Sequence, residues 1–126
     1  MATWTEEDAY LIAERAHEWA MQGAHEEAAI LLTGLVAAVP HYPYARRALA
    51  AIYLQNDHPA QALVTLDASP VLSQDSDARQ LRLEALLALG RRQEAEREFA
   101  LLRPGLDPAQ LQRLYWRFEN ATKEAT

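Results

Sequence analysis

The sequence predicts an all-α fold built from a repeated helix-turn-helix unit, and three observations carry that expectation. Ala and Leu supply 25 and 19 of the 126 residues, against four Val and three Ile, so helix formers far outnumber the β-branched residues that strands prefer. Half of the chain is hydrophobic and 24% is charged, enough apolar material to close a core. Finally, the chain resembles itself: residues 22–28, 56–62 and 89–95 align, each with a turn followed five positions later by a small residue, Ala28, Ala62 or Ala95.

The turns fall at Gly23, Asp57 and Gly90, 34 and 33 residues apart. The same offsets relate Trp19, Tyr53 and Leu86 upstream and Leu32, Leu66 and Phe99 downstream. Gly and Asp tolerate a left-handed backbone, which a tight turn between helices requires. The Ala after each turn lets the second helix approach the first.

Apolar spacing predicts a first helix over 6–22, with Thr3 and Glu6 as its expected cap, and its partner over 25–38. Pro40 and Pro43 end that unit. Helices over 43–56 and 59–68 form the second, where Pro70 stops the second helix about a turn short and leaves 71–75 as the least regular connection. The third pair spans 76–89 and 92–103. A closing helix over 108–121 is well signalled: Asp107 as N-cap, Pro108 at the first helical position and Gln110 completing an Asp variant of the capping box. Its Leu111, Leu114, Tyr115 and Phe118 recur at i, i+3, i+4 and i+7, a stripe expected to cover the open face of the last repeat. Trp116 falls off that stripe and is a candidate second contact for a partner. Trp19 and Tyr53, in repeat columns, are expected in the core.

Other classes of function find little support. Net charge is −6, with a pI near 5.1, the reverse of the basic surface that neutralises nucleic-acid phosphates. No cysteine is present, which removes disulfides, thiolate metal sites and Cys nucleophiles and fits a reducing cytoplasm. The acidic residues 1–8 and the lack of an 18-residue apolar run predict neither a secretory leader nor a membrane span. His25-Glu26 begins a zinc-protease pattern, but Ala29 stands where the second imidazole is needed. His17, His41 and His58 are scattered, and Asp75 and Asp77 lack the Gly and distal Glu of a calcium loop. The four glycines are isolated, so no phosphate loop or nucleophile elbow forms. No enzyme activity, cofactor or metal is expected. Glu6-Glu7-Asp8 and Arg91-Arg92 read as solvated helix ends.

The unit resembles the tetratricopeptide repeat (TPR). Numbered from Ala9, the first unit supplies Trp19, Gly23, Ala28 and Pro40; from Pro43 the second supplies Ala50, Tyr53 and Ala62; from Ser76 the third supplies Gly90, Ala95 and Phe99. It departs from the pattern at Leu35 and Leu102, where a second Ala is usual, and in the second unit, which lacks its Gly and closing Pro. The resemblance implies a single domain over 1–126, a right-handed α-solenoid with repeats at 9–42, 43–75 and 76–107 and the closing helix at 108–121. It also implies a concave groove lined by the first helix of each unit, here Tyr10, Glu14, His17 and Met21, then Tyr44, Arg47, Ala51, Leu54 and Gln55, then Leu81, Glu84 and Leu87. TPR domains that clamp a carboxylate tail use Lys, Asn and Arg where this chain has Ala13, His17, Ala51 and Glu84. With Arg47 as its one clear cation, such a groove suits an amphipathic helix better than a dicarboxylate end.

More narrowly, Gly23-x4-Ala28-x-Ile30-Leu31-Leu32-x2-Leu35, Pro40 and Arg46-Arg47 resemble the small TPR chaperones of bacterial type III secretion systems, above all the SctY (YscY-like) family. That similarity implies a cytoplasmic chaperone whose polypeptide partner is an export component such as SctX. The needle-subunit chaperone (SctG-like) is a rival reading. A scaffold or assembly adaptor, self-associating or binding through the closing helix, is a reading from another class, and an enzyme accessory domain is a third.

Overall fold

The computed structural model describes residues 4–125, with side chains described for 4–120. Among them the chain forms seven α-helices: α1 Glu6–Met21, α2 His25–Ala38, α3 Pro43–Gln55, α4 Pro59–Asp67, α5 Ser76–Ala88, α6 Arg92–Leu102 and α7 Pro108–Ala125. Six of the expected helices match to within one residue at each end, and α7 runs to Ala125 rather than 121. No strand occurs among the described residues.

The turns inside the three units share one construction. Gly23, Asp57 and Gly90 have φ of 88°, 61° and 74°, the left-handed region. The residue after each donates its N–H five positions back, Ala24 to Trp19 at 2.9 Å, His58 to Tyr53 at 2.8 Å and Arg91 to Leu86 at 2.9 Å. The turn residue itself donates to the next carbonyl, Ala20, Leu54 or Leu87, at 3.0, 3.2 and 3.1 Å. This pair of bonds is the Schellman motif, which satisfies carbonyls that a helix C-terminus leaves orphaned. The column of Trp19, Tyr53 and Leu86 is thus the row of carbonyls on which each turn closes.

Two details differ from expectation. Thr3 lies outside the described residues, and the cap of α1 is Thr5: its Oγ1 accepts from the Asp8 N–H and the Asp8 carboxylate accepts from the Thr5 N–H, each at 3.1 Å. Glu6 is the first helical residue instead of the reciprocal partner. Second, the connection after Pro70 is a regular 3-10 turn over Pro70–Gln74, since Pro70 starts a new turn after blocking the old one and Leu72, 3% exposed, plugs it into the core. A second 3-10 turn, Arg103–Gly105, precedes α7. Asp107 and Gln110 form the expected reciprocal cap there, at 2.8 and 3.0 Å.

From α1 to α6 neighbouring helices pack in chain order, and the odd-numbered helices also pack in series, α1 on α3, α3 on α5 and α5 on α7. Ala28, Ala62 and Ala95 are completely buried, as close helix approach requires. One core cluster joins α1, α2 and α3 around Leu32 and Leu49; the other joins α3 to α7 around Leu66, Leu83, Leu86 and Leu114. Half-buried Tyr53 packs on both, and half-buried Trp19 on the first. Leu114 is 2% exposed, and Phe99 meets Tyr115 and Phe118 edge-on at 5.5 and 5.3 Å, so the closing stripe covers the last repeat. In this arrangement α7 occupies the position of the first helix of a fourth unit.

A charge network holds the third unit in register. Glu98, 9% exposed, accepts from Arg79 at 2.9 Å and Arg82 at 3.5 Å, and Arg82 also reaches Asp67 at 2.9 Å, tying α5 to both α6 and α4. Burial on this scale is tolerated because both carboxylate oxygens are paired.

Candidate protein-binding groove

The serial packing of α1, α3, α5 and α7 leaves a concave face with two adjoining cavities, about 510 and 540 Å³, which share Ala51, Gln55, Leu81 and Glu84. The first is bounded by His17 and Met21 of α1 and by Tyr44 and Arg47 of α3, with Leu32, Ile52 and Leu114 as its apolar floor. Leu54 and Leu87 line the second. Ten of the expected groove residues therefore come together.

Tyr10 and Glu14 sit to one side. Glu14 is half-buried and Tyr10 is 51% exposed, and with Glu6 they lie around Tyr42. Burial pushes the Tyr42 phenol above the usual tyrosine value, and Tyr44, Glu6, Tyr10 and Glu14 push it the same way. Tyr42 and Tyr44 meet edge-on at 6.0 Å, so aromatic rings and carboxylates mark the α1 end of the face. Leu87 contributes only 7% of its surface and belongs mainly to the core.

Arg47 does not serve as a free cation. Its guanidinium donates to Asp75 at 2.6 Å, lies 3.9 Å from Asp77 and stacks 5.3 Å from the centre of the Tyr44 ring. Sequence reasoning missed the residues that α7 brings: Arg113 to the first cavity, Arg117 and Asn120 to the second. Arg117 lies 3.5 Å from Glu84. A signal for them existed in the spacing of the caps at Asp75 and Asp107, which repeats the unit length closely enough to place α7 in the same row as α5. Trp116, 59% exposed, lines the second cavity beside Leu54 and Leu87. The groove and the closing helix, weighed as separate sites, form one surface.

A family model described as tetratricopeptide repeat matches residues 20–84, just over half of the chain. The chain belongs to the tetratricopeptide repeat family. The match runs from the end of α1 into α5, so it includes the Gly23 and Asp57 turns and the middle of the concave face. Tetratricopeptide repeats are in general non-catalytic protein-interaction modules, and membership of the family points to a protein-interaction scaffold. No curated protein and no solved structure matches it. Among the described residues no cluster of three or more His, Cys, Asp or Glu is placed to hold a metal, and no helix is long and apolar enough to cross a membrane.

Proposed function

We propose that this tetratricopeptide repeat protein is a chaperone that holds an amphipathic helix of a secretion component in its concave groove until assembly. The observation that carries the reading is the groove itself. Met21, Tyr44, Leu54, Leu81 and Trp116 present apolar surface along it, and among the described residues no dense cationic set suited to an acidic tail lines it. An apolar helix face laid into such a groove is shielded from aggregation through the i, i+3, i+4, i+7 anchors that helix-in-groove binding uses.

The type III secretion assignment rests on the resemblance of residues 23–47 to SctY-type chaperones. Gly23, Ala28, Leu32 and Leu35 of that string shape the turn and the core, work any such repeat needs. Ile30 of the same string, 73% exposed, carries no comparable packing duty. On this reading the partner is an SctX-like export component in the cytoplasm; a needle subunit is the alternative cargo. Co-expression with small open reading frames neighbouring the gene, followed by size exclusion and mass determination, tests it. A stable stoichiometric complex with one secretion component is expected. If the chain elutes alone in every co-expression, or its gene lies outside a secretion cluster, the chaperone assignment fails and the general scaffold remains.

A further inference from the structure

The concave face is polarised by charge in a way its apolar lining does not require. At the α1 end the ionisable groups near it are Glu6, Glu14 and His17, with no lysine or arginine of α1 lining either cavity. In the middle, Arg47 is neutralised by Asp75 and Asp77. At the α7 end, Arg113 lines the first cavity beside Leu81 and Leu114 and makes no hydrogen bond or ion pair among the described residues. Arg117 stands one turn further along α7, where two cations at i, i+4 repel each other, and its only described partner is Glu84 at a loose 3.5 Å. Asp77 lines the first cavity and Asp57 the second, but among the described residues Glu84 is the one carboxylate within ion-pair distance of either guanidinium, with Trp116 between the two arginines in sequence lining the adjoining cavity. Among the described residues, the arginines that line the face without a tight carboxylate partner lie at this edge, in a chain whose net charge is −6.

We propose that the occupant of the groove is an amphipathic helix that carries side-chain carboxylates at the end lying over α7, paired with Arg113 and Arg117. This rests on the groove reading above and adds the charge of the occupant. Arg presents a planar fork that matches a carboxylate, and a pair formed beside Trp116 and Leu54 is shielded from water more than one on an open surface. A polyphosphate or nucleic acid is disfavoured at the same edge, because Glu84 and Asp77 line the first cavity with Arg113 and the chain as a whole repels polyanions.

The probes are three amphipathic Leu/Ala peptides of about 18 residues, five helical turns, identical apart from one end that carries two Glu, two Gln or two Lys. Their affinities for the full chain are measured by fluorescence anisotropy at low and high salt. The Glu peptide is expected to bind about three- to tenfold more tightly than the Gln peptide at low salt, with the Lys peptide weakest and the differences shrinking as salt rises. In Arg113→Gln, and more so in the double variant with Arg117→Gln, the ratio of Glu to Gln affinity should fall towards one. Both side chains are exposed, so circular dichroism melts are expected to show folded variants. Equal binding of Glu and Gln peptides, or a preference that survives both substitutions, overturns the charge proposal and leaves the groove reading standing. If no peptide binds, or if Leu54→Ala weakens none of them, the groove reading fails instead.

Discussion

Arg47 of α3 donates to the Asp75 carboxylate at 2.6 Å while the other oxygen of Asp75 accepts from the Ala78 N–H at 3.0 Å, so one side chain caps α5 and anchors it to the preceding unit. Both side chains are a little over a quarter exposed, which limits solvent screening of the pair. Asp75→Ala removes the cap and the inter-repeat tie together. The expected cost is about 1–2 kcal/mol, most of it from the cap. Urea unfolding at two salt concentrations checks this: Asp75→Asn, which keeps an acceptor for the cap, should recover the larger part. An alanine variant as stable as the parent would show that α5 is held by packing alone.

The left-handed turn residues predict opposite responses. Gly90→Ala places a Cβ at φ 74°, where the surroundings are open but the backbone itself is strained, and should destabilise by about 1–2 kcal/mol. Asp57 already carries a side chain at φ 61°, so Asp57→Gly relieves strain and should be neutral to about 1 kcal/mol stabilising, after the greater freedom of the unfolded glycine chain is subtracted. Equilibrium unfolding of the two variants side by side decides the matter, and equal signs would contradict the shared turn geometry.

Tyr44 and Leu54 lie on the middle helix of the groove, where neighbouring contacts exclude water, and replacing either by Ala should weaken partner binding by about 1–3 kcal/mol, roughly five- to 150-fold. Both side chains are half-buried and also pack on the core. Each variant therefore needs a thermal melt beside the titration, and only loss of binding beyond the stability change counts. Trp116→Ala is expected to weaken the same partner, since it lines the same surface. Normal binding by both groove variants with failure of Trp116→Ala alone would move the site to the closing helix.

Tyr42 should ionise above the ordinary tyrosine range. Burial first, then Tyr44, Glu6, Tyr10 and Glu14, raise its phenol above the ordinary 10.0. A folded pKa raised in this direction contributes stability that is complete below pH 10 and is lost as pH rises through the folded value. Ultraviolet titration should show one late phenol that vanishes in Tyr42→Phe, and the variant should lose less stability above pH 10 than the parent. If the amplitude lost on substitution instead falls at the ordinary tyrosine value, Tyr42 lies in open solvent.

Much of the architecture was legible before any coordinates. The turn positions, the buried alanines and the helix ends followed from local rules: Gly and Asp for left-handed turns, Pro at first helical positions, and apolar residues at helical spacing, each acting within about one turn of chain. The apolar part of the groove was legible too, because repeat numbering places Tyr44, Ala51, Leu54 and Leu81 on one face of their helices, and the structure brings them to one surface.

What the sequence by itself determined, then, is which segments are helices, where each turns and which faces are apolar, since these depend on interactions between residues close in the chain. Tertiary structure alone decided the charge of the groove. Arg47 looked free because Asp75 lies 28 positions away, and Arg113 and Arg117, off the apolar stripe of the closing helix, reach the concave face only because α7 packs on α5. An ion pair or cavity wall between distant segments depends on how helices stack, and a long flexible arginine reaches whichever carboxylate that stacking brings near.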